Sequence, residues 1–313
     1  MDLKYIGIEL VGYFFWCFGP VILKRFNYGI QMMLLIQTIT VISIISIVIF
    51  YYHDKYTFHI SEFFTNIDML YTQIAIGFFY IFANIGYKLL PASISLPITQ
   101  LTPLSMDLFA HFLYNKKIAK LQYLGFLVTF IGIALISLGK TKISKSHMLI
   151  GGVCMIIATL SLGYGLVRDK NIKFKKEVNE NPFLKYNIQF LLQNSFTLVI
   201  AFVTCIVVYL YQLQNGKVPK YLNMLKVPTF RELLMIVLAY IICQYAVNML
   251  LLTAFDNLDT GIYAGFSAIS VLFSLLVGYY VLNEKITKQK ILGVIVVITG
   301  IALNIYGKTT IES

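Results

Sequence analysis

Long apolar runs separated by short polar segments set the pattern of this 313-residue chain. Each run is about as long as the roughly 17 to 25 residues that an α-helix needs to cross the hydrocarbon core of a bilayer. Hydrophobic positions within a run are continuous and do not alternate, which argues against the strands of a β-barrel. The pattern predicts an all-α integral membrane protein with ten transmembrane helices. The ten predicted spans are residues 5–23, 30–52, 69–87, 91–114, 122–138, 148–167, 190–213, 233–255, 261–282 and 289–306.

The polar segments between the runs divide the chain into two halves. Most connections are only a few residues long, so consecutive helices are expected to be antiparallel neighbours. Three longer polar loops occur near residues 53–68, 168–189 and 214–232. The middle loop is the most charged segment and lies near the centre of the chain. It predicts a linker between two units of five spans each, residues 1–145 and 146–313.

A repeated segment relates the two halves. Residues 115–140, NKKIAKLQYLGFLVTFIGIALISLGK, align without a gap on residues 283–308, NEKITKQKILGVIVVITGIALNIYGK, and 13 of the 26 positions are identical. The identities include two glycines seven residues apart, Gly125 and Gly132 in the first copy, which lie on one helix face where small residues allow close packing. Because five is an odd number of spans, the second unit must enter the membrane in the opposite orientation. The sequence therefore predicts two inverted five-helix repeats, a common plan of secondary transporters.

Composition supports the bilayer as the main partner of the chain. Hydrophobic residues make up 58% and charged residues 12%, with a mean hydropathy of +0.78, whereas about a quarter of a soluble domain is charged. The net charge of +11 comes from Lys and Arg between the apolar runs, where they meet lipid headgroups, so we expect no nucleic-acid partner. The four cysteines lie scattered inside apolar runs, which predicts packing thiols, no metal site and no cofactor.

Several short motifs resemble one known superfamily of transporters. The first span carries Trp16 and ends near Lys24, the fourth contains Pro103 in QLTPL, and each half closes with a charged turn, a helix of the form LG…GIAL and a terminal Gly-Lys. These features resemble the drug/metabolite transporter superfamily, and in particular its EamA-like branch. The resemblance implies a ten-helix transporter whose first, third, fourth, sixth, eighth and ninth helices surround a central cavity.

The charged turn departs from that family in the first half only. The family's turn usually reads Gly-Glu, which Glu284 matches in the second half, but Lys116 occupies the corresponding place in the first half. A role that needs an acidic group in both halves is therefore not supported. The repeat predicts shared architecture more than shared chemistry.

Ionisable side chains inside apolar runs are costly in a bilayer and are candidates for function. Glu9 lies about one turn inside the first span, where it either takes part in binding or proton coupling or extends to the interface. Asp107 and His111 are four residues apart on one face of the fourth span and could share a proton or a hydrogen bond. Gln100 continues that face. The alternative for this face is a polar contact that holds the fourth span against a neighbouring helix.

Further candidates come from amides and from the resemblance. Asn84 and Lys88 share a face of the third span, although Lys88 is close enough to the end of the span to reach headgroups. Gln244 and Asn248 stand four residues apart near the middle of the eighth span, where they either join helices by hydrogen bonds or line a cavity for a polar solute. Trp16 is a candidate through the resemblance to the superfamily.

These features favour a secondary transporter that moves a small polar organic metabolite by alternating access, as a monomer or homodimer, with protons as the candidate coupling ion. The chain lacks the usual hydrolase, metalloprotease and nucleotide-binding motifs, so we expect no enzymatic activity. A nucleotide-sugar or phosphorylated-metabolite exchanger is an alternative, but it would want several cations at mid-depth and only Lys88 comes close. A non-transporting receptor or scaffold is the other alternative. Orientation, and the choice between plasma and internal membranes, stay open.

Overall fold

The fold is all-helical wherever the structure describes the chain. The structure is a computed structural model, and the residues that it describes are 3–26, 28–52, 66–137, 143–170, 172, 181–216, 228–258 and 269–312. Most of the three predicted polar loops, residue 138 and residues 261–268 of the predicted ninth span lie outside the described residues.

Thirteen α-helices occur in the described part of the chain. They are α1 Leu3–Trp16, α2 Gly19–Arg25, α3 Ile30–Tyr52, α4 Ile67–Leu89, α5 Ala92–Thr99, α6 Thr102–Tyr114, α7 Lys120–Ser137, α8 Lys145–Asp169, α9 Pro182–Asn215, α10 Phe230–Tyr240, α11 Val247–Asn257, α12 Ile269–Leu282 and α13 Lys288–Glu312.

Eight described helices or helix pairs are long and apolar enough to span a membrane. They correspond to eight of the ten predicted spans. The predicted fourth span consists of the short helices α5 and α6, and the ninth is described only as α12, which has 14 residues. Ten crossings therefore remain a prediction.

Side-chain caps fix where several helices begin. Asn66 accepts hydrogen bonds from the first turn of α4, Ser144 accepts one from that of α8, and Asn181 precedes Pro182 at the start of α9. Thr229 and Glu232 form a reciprocal capping box at the start of α10. Such caps satisfy amide groups that have no partner within the helix.

Two prolines break the predicted fourth span into α5 and α6. Pro103 has no amide hydrogen, so the carbonyl of Thr99 loses its usual partner four residues later and accepts the Thr102 hydroxyl at 2.7 Å instead. The break leaves Gln100 in a tight turn between the helices, hydrogen bonded to the Pro97 carbonyl. Within a membrane, such an interruption is tolerated where it is buried in protein or lines a cavity.

The eighth span contains a second irregularity. A π-helical segment, Ile241–Ala246, joins α10 to α11 and carries Cys243 and Gln244. π-helical turns are rare and are frequently found at functional sites. Gln244 is therefore set in irregular backbone, as Gln100 is.

The repeated helices α7 and α13 pack against each other through their glycines. A methyl group at Gly125 would lie 2.6 Å from the carbonyl oxygen of Gly300, and one at Gly132 would lie 2.8 Å from that of Gly293. Since the early glycine of each helix meets the late glycine of the other, α7 and α13 are antiparallel. The turns that precede them, residues 115–119 and 283–287, therefore lie at opposite ends of this pair.

These two turns have the same backbone conformation. Asn115 and Asn283 both have a φ of 53°, a left-handed conformation that Asn tolerates better than most residues. The amide of Lys116 donates to the Ala110 carbonyl, and the amide of Glu284 donates to that of Gly278 in the same way. The sequence repeat is therefore also a local structural repeat.

Candidate functional site

A cavity inside the helical bundle has a volume of about 490 Å³, enough for a small organic solute. At one end its lining includes Lys116, Lys117 and Lys170, which are exposed. We call this end the mouth, and the side of the molecule that carries the turn 115–119 the mouth face. The side that carries the turn 283–287 is the Glu284 face.

Five of the six spans that the resemblance places around a cavity line this one. The first, third, fourth, sixth and eighth spans contribute lining residues. The described part of the ninth span, α12, contributes none. The fifth, seventh and tenth spans each contribute one polar side chain, Gln122, Gln193 and Asn304, and the tenth also contributes Ile305.

Five of the polar side chains that line the cavity are amides. Gln100 and Asn248, both predicted from sequence, line it, and Asn248 donates from Nδ2 to the Gln244 carbonyl at 2.6 Å. Asn304 lines it too, is 2% exposed, and its Nδ2 has no hydrogen-bond partner. A buried amide without a partner costs free energy, and a polar solute would satisfy it.

Asp107 also lines the cavity, and one of its hydrogen bonds joins the fourth span to the fifth. Gln122 donates from Nε2 to Oδ2 of Asp107 at 3.3 Å and accepts the amide of Ala119 at 2.7 Å. Nδ1 of His111 lies instead 2.6 Å from the carbonyl oxygen of Lys116, and His111 is not part of the lining. The structure thus gives the two side chains separate partners, and His111 supports the turn at the mouth.

Aromatic side chains close the inner end of the cavity. Trp16 and Phe79 are stacked with ring centroids 6.4 Å apart, and the hydroxyl of Tyr80 accepts a hydrogen bond from Nε2 of Gln244 at 2.7 Å. These three aromatic residues, the aromatic layer, also line a second, small chamber of about 30 Å³. The layer therefore separates the open cavity from this chamber, which is the next space toward the Glu284 face.

Asn84 and Gln244 belong to the chamber instead of the cavity. Both line it, together with Gln37 and the tyrosines Tyr87 and Tyr240. Both hydroxyl groups are buried; that of Tyr240 has no hydrogen-bond partner, whereas that of Tyr87 lies close to the indole of Trp16. The chamber is thus a small space with several polar side chains beyond the aromatic layer.

Two further candidates, like His111, lie outside both spaces. Lys88 donates from Nζ to the carbonyls of Leu23 at 3.0 Å and Tyr28 at 3.3 Å, so it caps the end of α2. Glu9 is fully buried, and neither of its carboxyl oxygens has a hydrogen-bond partner. Its neighbours in the first span, Ile6 and Tyr13, belong to apolar clusters with residues of the eighth span.

On the Glu284 face, one carboxylate connects three parts of the fold. Glu284 accepts the backbone amides of Ala92 at 2.6 Å and Ser93 at 3.1 Å, and also the Ser93 hydroxyl. Nζ of Lys24 lies 3.4 Å from the same carboxylate, and Nζ of Lys290 donates to the Ser93 hydroxyl at 2.7 Å. The carboxylate thereby caps the start of α5 and neutralises charge at the end of α2.

Opposing effects act on the pKa of Glu284. Burial raises this pKa, but the charge of Lys24 and the hydrogen bonds from Ser93 and Ala92 outweigh burial and hold it below its ordinary value. The carboxylate is therefore ionised at neutral pH.

Comparison with known proteins agrees with this architecture. An apolar helical bundle around a solute-sized cavity that carries several polar side chains defines the class of integral multi-pass membrane proteins with an internal binding site. The model of the EamA-like transporter family matches residues 3–138 and 183–306, so the chain belongs to this family. The resemblance inferred from sequence is thus confirmed, and the chain is an integral multi-pass membrane protein of the drug/metabolite transporter superfamily.

Solved structures add information on the fold alone. A crystal structure described only as that of a protein has a TM-score of 0.62 at 12% sequence identity, over 100% of both chains. No curated protein matches the chain. The substrate therefore has to be argued from the cavity itself.

Proposed function

We propose that the protein is a secondary transporter that moves a small polar organic solute by alternating access. One observation carries the proposal: a cavity of about 490 Å³ opens at the mouth, ends at an aromatic layer and is followed by a polar chamber toward the opposite face. A space that is open to one side and closed to the other is what a carrier needs in one of its states.

The proposed architecture is ten spans in two inverted five-helix repeats. The equal turns at Asn115 and Asn283 support it. So does the glycine contact, in which Gly125 meets Gly300 and Gly132 meets Gly293. In the repeat, Gly125 corresponds to Gly293 and Gly132 to Gly300. Exchanging the two halves therefore turns each of these contacts into the other. Such a duplication supplies the two alternative packings that alternating access requires. We expect no enzymatic activity.

Binding and flux can be tested with one pair of matched variants. Purified protein is screened for thermal stabilisation by amino acids, nucleosides, sugars and organic acids, because a ligand that binds the native state raises the melting temperature. Any stabilising compound is then tested for counterflow in proteoliposomes. We expect Asn248→Ala to raise its Kd by about ten-fold, which corresponds to the loss of one hydrogen bond.

Asn257→Ala is the control for this variant. Asn257 lies in the same helix, α11, and also donates to the carbonyl four residues earlier, but it is exposed and lies outside the cavity. Binding should be unchanged in this variant. Equal effects of the two substitutions, or stabilisation by a compound without any flux, would favour the receptor or scaffold alternative.

The lysines at the mouth favour a second candidate, exchange of an anionic solute such as a nucleotide sugar or phosphorylated metabolite. The sequence offers only Lys88 at mid-depth, and Lys88 is engaged with backbone carbonyls. Lys116, Lys117 and Lys170 at the mouth, however, give the entrance a positive charge, which attracts anions at low ionic strength. Replacing Lys116 and Lys117 by Gln should raise the KM for an anionic solute and leave that for a neutral solute unchanged.

A proton is the proposed coupling ion, and Glu9 is the carboxyl group best suited to carry it. A buried carboxyl without hydrogen bonds is tolerated in its neutral form far better than as a charge. Asp107 is the alternative, since it lies in the cavity and is hydrogen bonded to Gln122.

A further inference from the structure

The small chamber beyond the aromatic layer has a buried polar group that has no hydrogen-bond partner in the present conformation. The hydroxyl of Tyr240 is buried without a hydrogen-bond partner, and Tyr240 lines the chamber with Tyr87 and Asn84. Buried polar groups of folded proteins are normally hydrogen bonded, because each one without a partner lowers stability. Such a group in a chamber that is in line with the solute cavity indicates a space that is filled in another state of the molecule.

The outer end of this chamber lies directly beneath the Glu284 contacts. Leu23 and Tyr87 line the chamber. The residues that follow them in sequence are Lys24 and Lys88. Together with Glu284, Ser93 and Lys290 they form the group of side chains on the Glu284 face that we call the polar layer. Lys24 pairs with Glu284, and Lys88 is bonded to the carbonyl of Leu23 itself. The polar layer thus covers the chamber on the side away from the cavity.

The positive charges of the lysines make the stability of this layer depend on the negative charge of Glu284. Lys24 is close enough to Lys88 and to Lys290 for its positive charge to act on each of them. Glu284 is the carboxylate that pairs with Lys24, and it also holds the start of α5 through two backbone amides. Without its charge, the ends of α2 and α5 would lose their common partner and the lysines would repel one another.

We propose that the chamber is the closed half of the solute pathway and that Glu284 is the residue that keeps it shut on the Glu284 face. This inference rests on the proposed transport function. It assigns to Glu284 a positioning role that its counterpart in the first half, Lys116, does not share, because Lys116 lies at the open mouth.

A native cysteine reports on the chamber without any knowledge of the solute. Cys243 lines the chamber and is only partly buried, whereas Cys17 is fully buried in the same bundle. The full-length protein in lipid nanodiscs is treated with a permanently charged methanethiosulfonate reagent, which does not enter lipid. The extent of labelling at each cysteine is followed by mass spectrometry of its peptide.

We expect slow labelling of Cys243 in the wild type and labelling about ten-fold faster, or more, in Glu284→Gln, since the loss of one charge-assisted hydrogen bond changes an equilibrium by about that factor. Lys285→Gln, an exposed neighbour in the same turn, is the matched control and should behave as the wild type. Leu23→Trp narrows the chamber at its outer end. Combined with Glu284→Gln in one protein, it should slow the labelling of Cys243 again.

Cys17 distinguishes opening from unfolding. If Cys17 becomes reactive together with Cys243 in Glu284→Gln, the milder variant Ser93→Ala, which removes one hydrogen bond to the carboxylate, replaces it and should still accelerate Cys243 alone. Cys243 labelling that stays at the wild-type rate in a folded variant overturns the inference, as does an equal effect of Lys285→Gln.

The outcome also separates this inference from the proposed transport. Flux by the wild type with unchanged Cys243 labelling in Glu284→Gln overturns the role of Glu284 and leaves transport standing. Faster Cys243 labelling in a protein that moves no solute supports the closure by Glu284 and contradicts transport.

Discussion

At the scale of single residues, the polar groups inside the bundle differ in whether they have partners. Asp107 and Gln244 are hydrogen bonded to neighbouring side chains, whereas the carboxyl group of Glu9 and the Nδ2 of Asn304 are buried without any. Groups of the second kind lower stability. They are therefore the positions at which stability and function should respond to substitution in opposite directions.

Glu9→Leu should raise the stability of the protein and abolish proton coupling. Removing a buried carboxyl that has no hydrogen bond is expected to increase the free energy of unfolding by about 1 to 3 kcal/mol. The melting temperature in detergent measures the first effect, and the response of flux to an imposed pH gradient measures the second. Glu232→Ala, which removes a helix cap, should instead lower stability by about 1 kcal/mol. A destabilised Glu9→Leu would indicate that Glu9 binds a partner in the native protein.

Sequence alone identifies some of these residues and misses others for physical reasons. Gln100 and Asn248 stand out because amides inside apolar runs are costly, and both line the cavity. Gln122 does not stand out in the sequence because it lies near a helix start, where polar residues are common. Asn304 can be identified from the sequence, because the repeat aligns it with Ile136. A polar residue in one copy then corresponds to an apolar residue in the other.

At the scale of helices, hydrophobic run length predicts where a span lies but not whether it is continuous. The run at 91–114 is apolar throughout, yet it forms α5 and α6 because Pro97 and Pro103 remove two amide donors. The run at 233–255 contains a π-helical segment that no composition signal marks. Both irregularities carry site residues, so the local details that matter most here are those that periodicity cannot predict.

Packing of α7 on α13 gives a direct test at this scale. Gly132→Ala places a methyl group 2.8 Å from the carbonyl oxygen of Gly293 and 2.6 Å from the amide nitrogen of Val297. Neither backbone can yield easily, so we expect a loss of about 1 to 3 kcal/mol. Gly152→Ala is the control: this glycine is also inside an apolar helix, but a methyl group there meets no atom within 4 Å. It should gain up to about 1 kcal/mol from helix propensity, measured as the melting temperature of each variant.

For the whole molecule, the sequence repeat predicts two related halves but not which face is open. That choice depends on a difference of a few kcal/mol between two packings of one chain, and it is made by contacts that the repeat does not share. Glu284 anchors the start of α5 on one face, whereas Lys116 lies at the mouth on the other. The mismatch is visible in the sequence, but its consequence requires knowledge of which elements each turn meets.

The charges around Glu284 determine how this asymmetry depends on pH. Lys24 and Lys290 face the carboxylate from α2 and α13, and Lys88 of α4 faces Lys24. Burial raises the pKa of Glu284, but Lys24 and the hydrogen bonds at the start of α5 outweigh burial and lower it overall. A lowered carboxyl pKa means that the contribution of Glu284 to stability is complete above the unfolded value of about 4.3 and is lost as the pH falls through the lowered value.

Glu284→Gln should therefore lower the melting temperature at pH 7 but have little effect at strongly acidic pH. The loss of a buried, charge-assisted set of hydrogen bonds is expected to cost about 2 kcal/mol at neutral pH. The difference between wild type and variant should stay constant from pH 7 to about pH 5 and shrink as the pH falls further below the unfolded carboxyl value. Thermal unfolding of both proteins across this range measures it, with Lys285→Gln as a turn variant whose difference should be small at every pH. A wild-type advantage that persists undiminished at pH 3 would mean that the Glu284 contacts do not depend on its ionised form, and that the lysines on this face have another partner.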